Sequence, residues 1–87
     1  MDYQIENKTK EERYFHPICI DLNDDFVKAY KQMKFYMQLY PTRITRITAK
    51  LPNQMRQEVI RAYQENEEWI IEPNELYPEI TQENTKQ

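Results

Sequence analysis

The residues whose chemistry best suits catalysis or metal binding are His16 and Cys19, the single histidine and the single cysteine of an 87-residue chain. A structural zinc site needs further good ligands, and the sequence offers no other His or Cys. A Cys–His nucleophilic pair needs both side chains within hydrogen-bond reach, whereas a spacing of three residues on a strand places them on opposite faces. The pair therefore predicts neither a metal site nor thiol catalysis.

The acidic residues and the lack of glycine argue against other catalytic chemistry. The carboxylates fall in the polar ends of the chain and on faces that should be solvated, so no two of them stand out as an acid–base pair. Without glycine the chain lacks the residue that P-loop and Rossmann phosphate sites require. We therefore expect a protein that is not an enzyme and that has no metal or cofactor.

A helix over residues 24–40 is the strongest predicted element. Apolar residues recur at spacings of three and four, at Phe26, Tyr30, Met33, Met37 and Tyr40. Asn23 is placed to cap the helix, Asp24 and Asp25 favour its N-terminal end, and Pro41 ends it.

A second apolar surface lies on the same helix, because Phe35 and Leu39 fall roughly opposite the first stripe at 100° per residue. A thin domain covers one helix face more easily than two, and aromatic residues are enriched in the cores of protein interfaces. We predict a protein-binding surface made of Phe35, Tyr36, Leu39 and Tyr40. The alternative is a central helix with both faces buried inside the monomer.

The remaining elements are predicted from their residue types and from the prolines and asparagines that begin or end them. Residues 14–22 read as a strand that Pro17 pushes to a sheet edge. Residues 42–51 fit a strand or a helix, and their β-branched residues favour the strand. Pro52 and Asn53 open a second helix over 53–66, whose buried stripe is Met55, Val59, Ala62 and Tyr63 with Ile60 at its margin. Residues 67–73 form a short strand.

These elements predict a small α+β domain in the order β-α-β-α-β, with a mostly α fold as the alternative if 42–51 is helical. The folded domain spans 14–72. Residues 1–13 are expected to be a flexible polar N-terminal tail, and residues 73–87 an acidic, largely flexible C-terminal tail. No stretch is apolar enough for a membrane helix, and the first residues lack the apolar core of a secretion signal, so we expect a cytoplasmic protein that does not bind membranes.

Charge is segregated along the sequence. Residues 28–61 hold eight basic residues and one acid, for a net charge of plus seven, while both flanking segments are acidic. Such asymmetry bears on the choice of partner and not on the fold.

The segment RITAKLPNQMRQEVIRAYQEN, residues 46–66, resembles the first half of a ribbon-helix-helix DNA-binding domain. In that family two chains pair their strands as a ribbon in the major groove. The resemblance implies a dimeric transcriptional regulator whose outward side chains contact nucleic acid; the basic strand places them at Arg43, Arg46, Thr48 and Lys50. The second helix of the family has no counterpart, because Pro73 and Pro78 interrupt an acidic stretch.

Two functions therefore remain open. The first is a small regulator, adaptor or inhibitor that binds a protein partner stoichiometrically, with self-association as a homodimer also considered. The second is the DNA-binding regulator that the resemblance implies.

Overall fold

Five antiparallel strands and one helix make up the residues that the computed structural model describes, which are 2–19, 25–50, 52 and 55–74. The elements follow in the order β1 (Asp2–Lys8), β2 (His16–Cys19), α1 (Phe26–Leu39), β3 (Ile44–Lys50), β4 (Gln57–Glu65) and β5 (Glu68–Pro73). In space the strands lie in the order β2-β1-β3-β4-β5. The domain is thus mostly sheet, with α1 packed against β1 and β3.

Helix α1 forms close to its predicted bounds. Its N-cap is Asp25 and not the predicted Asn23, because the Asp25 Oδ1 accepts a hydrogen bond from the backbone N–H of Lys28 at 3.1 Å. Tyr40 was expected in the buried stripe, but it follows the last helical residue as the C-cap and its side chain is largely exposed. The other members of the stripe are buried as predicted, at Phe26, Tyr30, Met33 and Met37.

The core is one layer of side chains between α1 and the side of the sheet that faces it. Ile5 of β1 and Ile47 of β3 are directly paired, and both are fully buried. The ring of Tyr3 meets the ring of Phe26 edge to face, with centroids 5.5 Å apart. Other apolar residues of α1 and of the three central strands supply the rest of this layer.

The predicted second helix over 53–66 is wrong, because Gln57–Glu65 forms β4 and pairs with β3 on one side and β5 on the other. A bulge in the β3–β4 pairing leaves Val59 and Ile60 buried in succession, which breaks the simple alternation of a strand. The apolar residues of this segment are therefore spaced in a way that fits a helix as well as a strand. The hydrogen-bonded pairing of β4 along both of its edges shows that the segment is a strand, so the mostly α alternative does not fit the structure either.

Residues 1–13 were expected to be a flexible tail, yet they contain a central strand. β1 lies between β2 and β3 and pairs with β3 along its whole length. Only Tyr3 and Ile5 are apolar in this strand, so its alternation is weak in the sequence. The folded domain therefore includes β1 as well as the segment from residue 14 onward.

The structure has a strand within each of the ranges predicted at 14–22, 42–51 and 67–73, namely β2, β3 and β5. β2 is an edge strand, as Pro17 predicted. β4 and β5 are joined by a two-residue turn, Asn66–Glu67, in which both residues have positive φ, 54° and 67°. Two such residues are the mark of a tight hairpin turn whose twist matches that of the strands.

Several predictions concern residues outside the described ranges. They are the end of the strand predicted over 14–22, the placement of Asp24, Leu51 and Asn53, and the C-terminal tail from residue 75 onward. Within the described residues, no helix has the length and apolar content that a membrane crossing requires.

Candidate functional site

The surface of α1 that points away from the sheet carries large apolar side chains. Phe35 is 57% exposed and Leu39 is 52% exposed, while Tyr40 is 40% exposed and Tyr36 is half-buried. The rings of Phe35 and Tyr36 meet edge to face with centroids 5.3 Å apart. We refer to Phe35, Tyr36, Leu39 and Tyr40 as the apolar patch.

The apolar patch is held by its surroundings at both sides. Tyr36 packs against the core beside Cys19 of the edge strand β2, and burial together with this thiol raises the pKa of the Tyr36 phenol. The guanidinium of Arg43 lies 5.6 Å from the centroid of the Tyr40 ring. Two aromatic members of the patch are thus positioned by β2 and by the connection between α1 and β3.

The exposure of the apolar patch follows from the way α1 is seated. A helix presents one stripe to the sheet beneath it, and Met33 and Met37 occupy that stripe. Phe35 and Leu39 lie on the opposite side, and no segment that the structure describes buries them. The alternative in which both faces of the helix are buried inside the monomer does not fit these exposures.

His16 and Cys19 do not form a joint site. The His16 Nε2 lies 2.9 Å from the Glu12 Oε2 on the exposed side of β2, whereas Cys19 faces the core. The Glu12 pKa is lowered by hydrogen bonds from the backbone of Thr9 and from His16. Among the described residues, no group of three His, Cys, Asp or Glu side chains is arranged to hold a metal ion.

The side of the sheet away from α1, which we call the open sheet face, carries an ion-pair network across three strands. The Arg46 guanidinium contacts Glu6 Oε1 at 2.7 Å and Glu58 Oε1 at 3.3 Å. Arg61 contacts the same Glu58 oxygen at 2.7 Å. The ring of Phe15, from the β1–β2 connection, covers Arg46, with the guanidinium carbon 3.8 Å from the ring centroid.

This network maintains Glu58 as a carboxylate. Burial alone would raise its pKa, but the hydrogen bonds and charges of Arg61 and Arg46 outweigh burial, and the pKa is lowered. A carboxylate in this setting holds strands together and is poorly suited to donate a proton. Glu6 was expected in the flexible N-terminal tail and Glu58 on a solvated face. Their pairing with Arg46 depends on the strand register, which the sequence does not display.

The four residues of the DNA-binding interpretation do not form an exposed ribbon. β3 is a central strand whose two edges pair with β1 and β4, so it has no edge left to pair with a second chain. Arg46 is occupied by Glu6 and Glu58 on the open sheet face. The ribbon-helix-helix resemblance therefore does not extend to the structure, which also has a strand in place of the helix over 53–66.

The remaining residues of that interpretation lie apart from one another. Thr48 is buried on the open sheet face, where its Oγ1 accepts a hydrogen bond from Arg56 at 3.2 Å. Arg43 lies at the start of β3 near Tyr40, and the exposed Lys50 is at the other end of the strand. These side chains therefore do not form a continuous basic strip along β3.

Searches of protein-family models, of curated proteins and of solved structures found no match to this chain.

Proposed function

We propose that this protein is a small non-catalytic binding module, acting as a regulator, adaptor or inhibitor, which contacts a protein partner through the apolar patch. The observation that carries the proposal is the exposure of Phe35 and Leu39 on one helix, each with more than half of its surface in water. Large apolar side chains grouped on a rigid element are typical of the centre of a protein interface.

The composition of the patch supports this proposal. Aromatic anchors lose little conformational entropy on binding, and Tyr36 is already held against the core. An amphipathic helix that inserts its outer apolar residues into a groove is also a common mode of protein recognition. The exposed anchors Phe35 and Leu39 are one helical turn apart, so a single groove in the partner could accept both.

The test compares the wild-type protein with a Phe35→Glu, Leu39→Glu double variant. A partner captured by the wild-type protein is purified, and its stoichiometry and dissociation constant are measured by calorimetry. Because each anchor of an interface contributes about 2 kcal/mol or more, we expect the double variant to bind about a hundredfold more weakly or worse. Light scattering on both proteins measures whether the double variant also self-associates less than the wild-type protein.

The matched control is a Tyr14→Glu, Met55→Glu double variant, which replaces two exposed apolar side chains outside α1. It adds the same charge and should leave binding unchanged. Circular dichroism and thermal unfolding confirm that both variants are folded. If a folded Phe35→Glu, Leu39→Glu protein binds the partner and self-associates as the wild-type protein does, the apolar patch is not the binding surface.

A further inference from the structure

The outer surface of α1 is basic in its first half and apolar in its second. At 100° per residue, Lys28, Lys31, Phe35 and Leu39 fall within about 80° of one another around the helix axis. They extend about 16 Å along the helix. The two lysines are exposed, so the apolar patch continues directly into a positively charged surface.

These lysines differ from the cations of the sheet. Arg46, Arg56 and Arg61 all contact carboxylates, at distances of 2.7 to 3.0 Å. Among the described residues, no carboxylate contacts Lys28 or Lys31 through its ammonium group, and α1 itself contains no Asp or Glu. These three arginines are paired with carboxylates, whereas the two lysines of α1 lie beside the apolar patch without a carboxylate partner among the residues that the structure describes.

The position of Lys28 is unfavourable for the helix itself. It lies in the first turn, where the helix dipole is positive and favours acidic residues. Lys31 repeats the same charge one turn later, and like charges one turn apart repel. The helix dipole and the neighbouring charge on α1 therefore do not stabilise these two ammonium groups.

We infer that the partner bound by the apolar patch is an acidic protein segment, which places carboxylates against Lys28 and Lys31 and apolar anchors against Phe35 and Leu39. This inference rests on the proposed function and adds the chemical class of the partner. Charge complementarity of this kind selects partners and accelerates association, and it weakens as salt is added.

The test selects binding peptides from a displayed library of random peptides about 12 residues long, with the wild-type protein as bait. We expect the selected peptides to combine Asp or Glu with Leu or aromatic residues. Affinities of the synthetic peptides are measured by fluorescence anisotropy. A Lys28→Glu, Lys31→Glu variant should weaken binding about tenfold or more, and so should raising the salt from about 50 mM to about 500 mM.

The Phe35→Glu, Leu39→Glu variant and a single Lys28→Glu variant separate the possible outcomes. If the selected peptides are neutral or basic and their binding is lost in Phe35→Glu, Leu39→Glu, the proposed function stands and the inference of an acidic partner is overturned. If the peptides bind the Phe35→Glu, Leu39→Glu variant and the Lys28→Glu, Lys31→Glu variant as they bind the wild-type protein, both proposals are overturned. A selection that yields no binder overturns both as well. Lys28→Glu alone should raise the unfolding temperature by about 2 to 4 °C while it weakens binding, which separates loss of binding from loss of fold.

Other polyanions are examined with the same proteins. Anisotropy with mixed duplex DNA and co-sedimentation with phosphatidylserine vesicles measure whether the lysines serve a nucleic acid or a membrane surface. Binding to either that disappears in Lys28→Glu, Lys31→Glu, without selection of acidic peptides, would assign the basic surface to that polyanion and overturn the inference.

Discussion

Two threonines of β3 are both buried, but their hydroxyl groups have different surroundings. The Thr48 Oγ1 lies 3.5 Å from the carbonyl oxygen of Gln4 and accepts a hydrogen bond from Arg56. The Thr45 Oγ1 faces the core and has no hydrogen-bond partner among the described residues. A buried hydroxyl without a partner costs the free energy of its lost hydration.

Replacing the two threonines by valine should therefore have opposite effects. Thr45→Val removes an unsatisfied hydroxyl at nearly constant volume and should raise the free energy of unfolding by about 1 kcal/mol. Thr48→Val removes a satisfied hydroxyl and leaves Arg56 with one acceptor fewer, so it should lower that free energy by about 1 kcal/mol. Urea denaturation measures both. Equal changes of the same sign would contradict this account of β3.

The lowered pKa of Glu58 makes part of the stability depend on pH. A carboxyl group whose pKa is lower in the folded than in the unfolded protein stabilises the fold above its ordinary pKa of 4.5, and this contribution is lost as the pH falls through the folded value. Glu58→Gln should thus cost about 1 to 2 kcal/mol at neutral pH and progressively less below about pH 4.

The measurement is urea denaturation of wild-type protein and Glu58→Gln from about pH 7 down to about pH 3. Glu11→Gln, which changes an exposed carboxyl group in the β1–β2 connection, is the matched control and should change stability little. A stability difference for Glu58→Gln that stays constant over this pH range would show that its charge does not stabilise the sheet.

At the scale of elements, the β4–β5 hairpin shows how a chain without glycine makes a tight turn. Asn66 tolerates positive φ well, but Glu67 at φ 67° has a Cβ that crowds the backbone in this conformation. Glycine has no such penalty, and it is the residue that turns of this kind prefer at the second position.

Glu67→Gly should therefore raise the free energy of unfolding by about 1 kcal/mol. The matched control is Glu65→Gly, two residues earlier in β4, where an extended backbone gains nothing from glycine and stability should fall by about 0.5 to 1 kcal/mol. Thermal unfolding of both variants decides. If Glu67→Gly proves as destabilising as the control, the turn is not under strain at Glu67.

The sequence predicts the elements whose pattern is local and misses those whose pattern depends on distant partners. α1 has a cap, an apolar stripe and a proline after its end, and it forms almost as predicted. β4 was mistaken for a helix because its bulge hides the alternation at Val59 and Ile60. β1 was missed because it has only two apolar residues and because its partner β3 lies far along the chain. The outward position of Phe35 and Leu39 followed from helix geometry alone, whereas the pairing of Arg46 with Glu6 and Glu58 required the strand register.

At the scale of the whole molecule, the core is thin because α1 covers only one side of the sheet. Most of the stabilising burial then comes from the few residues between the helix and the central strands. A small domain has a low free energy of unfolding, so the loss of one of these residues matters. Ile5 on β1 and Ile71 on the edge strand β5 show the contrast, since the first is fully buried and the second is exposed.

Ile5→Ala should lower the free energy of unfolding by about 3 to 4 kcal/mol, because it opens a cavity at the centre of the core. The same change at Ile71 should cost less, about 1 to 2 kcal/mol, since 37% of that residue remains exposed after folding and no enclosed cavity is left. Chemical denaturation of the two variants under one set of conditions makes the comparison. Similar losses at both positions would mean that the edge of the sheet is as important to stability as its centre.

The central position of β1 also sets the order in which the protein can be completed during synthesis. β1 is made before the other four strands of the sheet, but its partner β3, which pairs Ile47 with Ile5, follows only after the whole of β2 and α1. At about 5 to 20 residues per second, the ribosome needs about 2 to 8 seconds to make that intervening stretch. Until β3 is made, β1 can pair with β2 alone, and an isolated two-stranded hairpin is marginally stable. β1 is therefore made before the other four strands of the sheet, but it completes its pairing only when β3 has been made.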